Sequence, residues 1–182
     1  MKIGFAVAVV VMAVALNRRA LAAAELRSAG VVPIVGNLDR RRSLSRLAAF
    51  GSRLIHLAPP PEAGGRRDPR THALLAALRA RPEHLVYVST TGVYGDRGGA
   101  LAGETSPPQP RNDRAFRRLD AESRVRAAGG CVLRAPGIYA HDRLPLARLR
   151  AGTPALAPAD DVFTNHIHAD DLARACILAL FR

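Results

Sequence analysis

Three scarcities shape this 182-residue chain. Trp is absent and Phe, Tyr and Trp together make up only 4%, too little for a base-stacking platform. The chain has two cysteines, Cys131 and Cys176, with no close metal spacing. Each sits in apolar company, so both read as buried thiols in a reducing compartment. Lys2 is the only lysine, so almost all of the +12 formal charge is arginine. Those arginines are scattered rather than gathered into one stripe, which argues for a solvated basic surface and against a specific nucleic-acid partner. Long apolar runs are missing as well. Ile3 to Leu16 is the longest, and fourteen residues fall short of a membrane span. Lys2, that run and Ala20-Leu21-Ala22 imitate a secretory signal, but Asn17, Arg18 and Arg19 interrupt it. The expectation is therefore a buried strand, a cytoplasmic protein and no membrane partner, with export as the alternative.

What is present is alternation. Strands are expected at Val9–Leu16, Val31–Val35, Arg53–Leu57, Leu85–Val88 and Cys131–Arg134. Helices are expected at Arg19–Ala29 (closed by Gly30), Ser43–Phe50 (capped by Ser43), Thr71–Arg81 (capped by Thr71), Asp113–Ala128 and Asp170–Phe181. Pro/Gly-rich exposed loops fill Pro59–Pro69 and Gly98–Asn112. Continuous apolar strands alternating with helices predict one α/β domain with a parallel sheet. At the end of the fourth strand, Leu85-Val86-Tyr87-Val88 breaks into Ser89, Thr90 and Thr91, followed by Gly92 and Gly95. A buried strand opening into hydroxyls and glycines is how such sheets build ligand crevices. Thr90 and Thr91 either serve that crevice or merely cap the strand end. His166-x-His168 with Asp170 and Asp171 lacks identifiable further ligands, so no metal is expected.

The stretch Ser89-Thr90-Thr91-Gly92-Val93-Tyr94-Gly95 resembles the strand-end signature of extended short-chain dehydrogenases, the NAD-dependent epimerase/dehydratase family. Val31–Asp39, Leu54–Ala58, Leu133–Tyr139 and Asn165–Ala173 are similar to further motifs of that family, in the family's order. The resemblance implies a Rossmann-like parallel sheet with flanking helices, spanning residues 1–182 as a single domain. It also implies NAD(P) as cofactor and a sugar-nucleotide or similar carbonyl/alcohol substrate. On these matches Thr90 inherits the substrate-binding hydroxyl, with Thr91 second. Asn37 and Leu38 fall beside the adenine, Leu57 and Ala58 beside the ribose and pyrophosphate, and Pro136 and Gly137 beside the nicotinamide. Arg18 and Arg19 follow the family's second strand and suit the 2′-phosphate of NADP better than NAD.

Two departures stand out. The family's acid/base tyrosine and its partner lysine correspond to Arg114 and Arg118. Arg118 remains a fixed cation for ribose or phosphate, but a guanidinium cannot act as the acid/base. Before Gly30 the only glycine is Gly4, so the phosphate-binding turn, the first strand and the substrate domain beyond Leu172 are expected to be missing. The sequence thus predicts an impaired NAD(P)-dependent oxidoreductase relative. The alternative is a catalytically inactive remnant or regulatory binding module.

Overall fold

The computed structural model describes residues 12–18, 23–50, 52–152, 154, 157–158, 161 and 163–182. Its strands are β1 (Val14–Asn17), β2 (Val32–Val35), β3 (Arg53–His56), β4 (His84–Thr90), β5 (Cys131–Ala135), β6 (Gly137–Tyr139) and β7 (His166–His168). The α-helices are α1 (Ala23–Ser28), α2 (Pro69–Ala77), α3 (Asp113–Ala127), α4 (Leu146–Arg150) and α5 (Ala169–Leu180). All strand pairing among the described residues is parallel, in three separate sheets ordered β1-β2, β3-β4-β5 and β6-β7. The expected parallel α/β class therefore holds as a partial fold rather than one continuous sheet.

β4 explains how the centre is built. Its side chains alternate between faces, as a strand demands. Leu85 and Tyr87 pack with Ala121 and Val125 of α3. Val88 packs on the other face with Ala135, Leu172 and Cys176, under α5. Val86 and Tyr87 are wholly shielded from solvent. A third cluster, Leu44, Leu47 and Leu74, receives Leu16 from β1 and Leu54 from β3. That apolar cluster joins two sheets that share no described strand pairing.

Several expected boundaries move. β1 begins at Val14, and the earlier part of the expected strand, like Arg19–Ala22 of the first helix, lies outside the described residues. The segment expected as a Ser43-capped helix is a 3-10 helix over Arg41–Ala49, and Ser43 lies inside it. The Ser43 hydroxyl instead accepts from the Asn37 N–H (2.8 Å) and lies 2.7 Å from the Arg40 carbonyl, which ties the strand exit to the helix. Thr71 is not the cap of its helix. Asp68 is, because its carboxylate reaches the N–H groups of Arg70 and Thr71 while Pro69 takes the first helical position. That helix stops at Ala77, with Leu78 extended, ahead of a Pro82 that disfavours helical backbone at Arg81. Cys176 is buried as expected, whereas Cys131 is exposed. It opens β5, whose outer edge pairs with no described strand. No helix among the described residues is long and apolar enough to cross a membrane.

Candidate functional site

Parallel strands deliver the residues that follow them to their carboxyl ends, and the described site residues predicted from sequence fall there, except Arg114 and Arg118 on α3. Thr90 ends β4 opposite Ala135 of β5, so Pro136 and Gly137 follow immediately beside it. Leu57 and Ala58 follow His56 at the end of β3, and Leu57 is exposed. Asn37 and Leu38 follow β2, and Arg18 follows β1. Arg19 lies outside the described residues.

Arg70 joins these strand ends. Its Nε and Nη2 grip both carboxylate oxygens of Asp39 at 2.7 Å, while Nη1 donates to the Pro59 carbonyl at 2.9 Å. The segment after β2 and the segment after β3 are thereby held together. The Arg70 contact holds the Asp39 carboxyl below its ordinary value, with Arg18 adding a smaller pull of the same sign. Asn37 turns its Oδ1 back to the Asp39 N–H (2.9 Å), forming an Asx turn. Leu38 is partly buried against the Leu44 cluster.

The hydroxyls at the end of β4 divide in role. Ser89, buried, donates to the Glu122 carboxylate at 2.7 Å. Thr90 accepts from the Gly92 N–H at 3.2 Å, capping the 3-10 helix Thr91–Tyr94. Both threonines stay partly exposed at the strand end, so capping leaves Thr90 accessible to solvent. Gly95 cannot be replaced here. Its φ is +70°, and a side chain would run into the Gln109 carbonyl.

Behind this edge lie two buried polar groups, one around Glu122, whose interior role the sequence did not reveal, and one around His56, which the sequence places at a strand end as packing or crevice lining rather than as a base. Glu122 is fully shielded and receives Arg134 through Nε (3.1 Å) and Nη2 (2.7 Å), plus Arg126 at 3.1 Å. Burial pushes its carboxyl up, but the bonds from Arg134 and Ser89 and the charges of Arg134 and Arg126 outweigh that and hold it low. The other group runs through His56, 3% exposed, whose Nε2 lies 2.9 Å from Thr71 Oγ1 and whose ring stacks 5.0 Å from that of Tyr87. Burial drives His56 down to about 4 and Tyr87 up to about 12.

The two arginines at the tyrosine and lysine positions part company. Arg114 is exposed. Arg118, 8% exposed, donates from Nη1 to the Tyr87 hydroxyl (2.9 Å) and the Val88 carbonyl (3.0 Å), fixing β4 from behind. In the other motif singled out from sequence, His168 caps α5 through Nδ1 and stands edge-on to Tyr139, 5.2 Å between centroids.

No protein-family model and no curated protein matches the chain. Solved structures do. A protein from Methylobacillus flagellatus assigned as an NAD-dependent epimerase/dehydratase superposes with a TM-score of 0.71 at 25% identity, over 93% of this chain and 70% of its own. The UDP-glucose 4-epimerase of Thermus thermophilus, in complex with NAD, gives 0.72 at 24% identity, over 93% and 66%. The dTDP-glucose 4,6-dehydratase DesIV of Streptomyces venezuelae, solved with NAD bound, gives 0.74 at 20% identity, over 93% and 62%. The chain thus spans roughly two thirds of each of these relatives. The chain shares a partial Rossmann-like α/β fold with these NAD-dependent epimerase/dehydratase structures.

Proposed function

We propose that this chain is a dinucleotide-binding relative of the epimerase/dehydratases whose own oxidoreductase chemistry is impaired. NADP is the preferred cofactor, and a sugar nucleotide or similar carbonyl/alcohol is the substrate class. The observation that carries this reading is the placement of Arg118. The cation at the family's lysine position is buried and bonded to Tyr87 and Val88, and the position one turn earlier holds an exposed arginine that cannot deprotonate.

The residues present fit a dinucleotide in part. Arg18 is exposed at the end of β1, and the nearby Asp39 is already held by Arg70, so Arg18 retains an outward charge for a 2′-phosphate. Asn37 and Leu38 offer an amide and an apolar wall for the adenine. Leu57 and Ala58 line the approach to ribose and pyrophosphate, and Pro136 and Gly137 that to the nicotinamide. The cofactor, when bound, supplies hydride exchange. Thr90 would hold the substrate oxygen, but the proton has no evident carrier among the described residues. Tyr87 is buried and pushed up to about 12, and Tyr94 is buried against Arg134.

The test is titration of purified protein with NADPH and NADH by nicotinamide fluorescence, beside an Arg18→Ala/Arg19→Ala variant. The reading expects saturable micromolar-range binding of NADPH, weakened in the variant. Equal affinity for both dinucleotides in both proteins would remove the NADP preference. No binding by folded protein would overturn the reading. A regulatory binding module is the second reading, favoured by the missing acid/base. It predicts weak or no dinucleotide binding and no turnover of sugar nucleotides.

A further inference from the structure

We infer that His56, Thr71 and Asp68 form a protonation-controlled latch that holds the segment between β3 and α2 closed against α3. Hydrogen-bond direction fixes the chain. The Thr71 hydroxyl donates to Asp68 Oδ2, so its oxygen can only accept from His56, whose Nε2 must carry the proton. Asp68, 1% exposed, also accepts from the N–H groups of Arg70 and Thr71. Its own N–H donates to Asp120 of α3 at 2.8 Å.

The rest of the segment is fastened to the same helix. Arg117, 3% exposed, donates to the carbonyls of Glu62, Gly64 and Gly65 at 2.9–3.0 Å. Arg66 lies 4.1 Å over the Phe116 ring and pairs with Asp113. An exposed Pro/Gly-rich stretch is therefore closed by polar bonds rather than by apolar burial. Protonating His56 at Nδ1 leaves its Nε2–H bond to Thr71 in place, so what acid destabilises is the closed state's burial of that charge.

His56 is the member that can change charge near neutral pH. The groups around it come from three elements: Tyr87 of β4 stacks on its ring, Arg118 of α3 repels a second positive charge, and Asp68 at the start of α2 attracts one. Burial and Arg118 outweigh Asp68, which makes the closed state the neutral state. Acid therefore favours an open segment with a solvated imidazolium. Leu57 and Ala58 sit at the root of this segment. The bearing of the latch on dinucleotide binding rests on the function proposed above, but the latch itself does not.

Hydrogen exchange of the intact chain, corrected for intrinsic rates, tests it without any cofactor. Between about pH 7 and about pH 4.5, protection of residues 58–68 relative to α3 should fall by on the order of 50-fold. In His56→Gln, which keeps a neutral donor, the ratio should stay level. Equal loss of protection in α3, or the same fall in His56→Gln, overturns the latch. The imidazole NMR titration of His56 in the wild-type chain decides the matter even if the variant fails to fold. A midpoint well below the ordinary histidine value is expected, and one at or above it overturns the inference.

Discussion

The two described sheets that meet at the Leu44 cluster are built to different standards. In the β3-β4-β5 sheet every residue from Leu85 to Ser89 is buried, α3 covers one face and α5 the other, and the Glu122 carboxylate inside is shared by Ser89, Arg126 and Arg134. In the β1-β2 sheet all of β1 is only half-buried, Val32 and Val35 are exposed, and the six-residue α1 buries Ala23 alone. The sheet that keeps the family's strand-end signature is the well-packed one. The β1-β2 sheet is a thin layer attached by Leu16, Ser43 and Arg70. One parallel sheet of the fold is thus densely packed while its neighbour is held by few contacts.

The largest expected effect lies in the well-packed sheet. Glu122→Ala strands Arg134, a mostly buried cation, and removes the partner of Ser89. The cost should be about 3–5 kcal/mol in urea or guanidinium unfolding. A loss below about 1 kcal/mol would mean that this buried pair contributes little to the contrast.

Acid should separate stages of loss within the molecule. His56 has a folded value of about 4 against an ordinary 6.5, so the unfolded chain takes up the proton first as pH falls. The stability that neutral burial provides is complete above 6.5 and is lost as pH falls to about 4, by about 3 kcal/mol. Glu122 and Asp39 are held below their ordinary values of 4.5 and 3.8, so their contribution is lost as pH falls from those values downward, overlapping only the foot of the histidine window. Unfolding free energy measured against pH should decline through the histidine window in the wild type and stay level there in His56→Gln. A decline confined to pH values below about 4 would assign the acid sensitivity to carboxylates alone.

The thin sheet should yield less. Leu16→Ala removes a half-buried side chain from the joint between the sheets, at about 1–2 kcal/mol, below the range for a fully buried leucine. A loss as large as that of Glu122→Ala would erase the distinction between the sheets.

Much of this contrast is legible in the sequence itself. The β4 run and its break into Ser89, Thr90 and Thr91 show because periodicity and hydroxyl chemistry are local properties. α3 is readable almost to the residue for the same reason, as a long charged segment between a Pro/Gly loop and Gly129-Gly130. The polar interior is not legible. Arg70, Arg117 and Arg134 look like any other arginine in a chain full of them, and only the fold brings them to Asp39, the Glu62–Gly65 carbonyls and Glu122. The cap at Asp68 escapes a sequence reading because Thr71 also has a capping side chain, and Pro69 reads as loop rather than as the first helical residue. Arg118 falls correctly along the helix, but its direction is hidden. Tyr87, thirty-one residues away, takes its guanidinium.

The smallest effect tests the link between the sheets rather than either sheet. Arg70→Ala breaks a bidentate pair whose carboxylate is more than a third exposed, and water screens such contacts to about 1 kcal/mol or less. The more informative reading is local. Arg70 is the side chain that joins Asp39 after β2 to Pro59 after β3, so its loss should raise hydrogen exchange at residues 37–40 while leaving β4 and α3 protected. If β4 loosens equally, the two sheets form one cooperative unit, and the thin layer is as integral to the fold as the strand that bears Thr90.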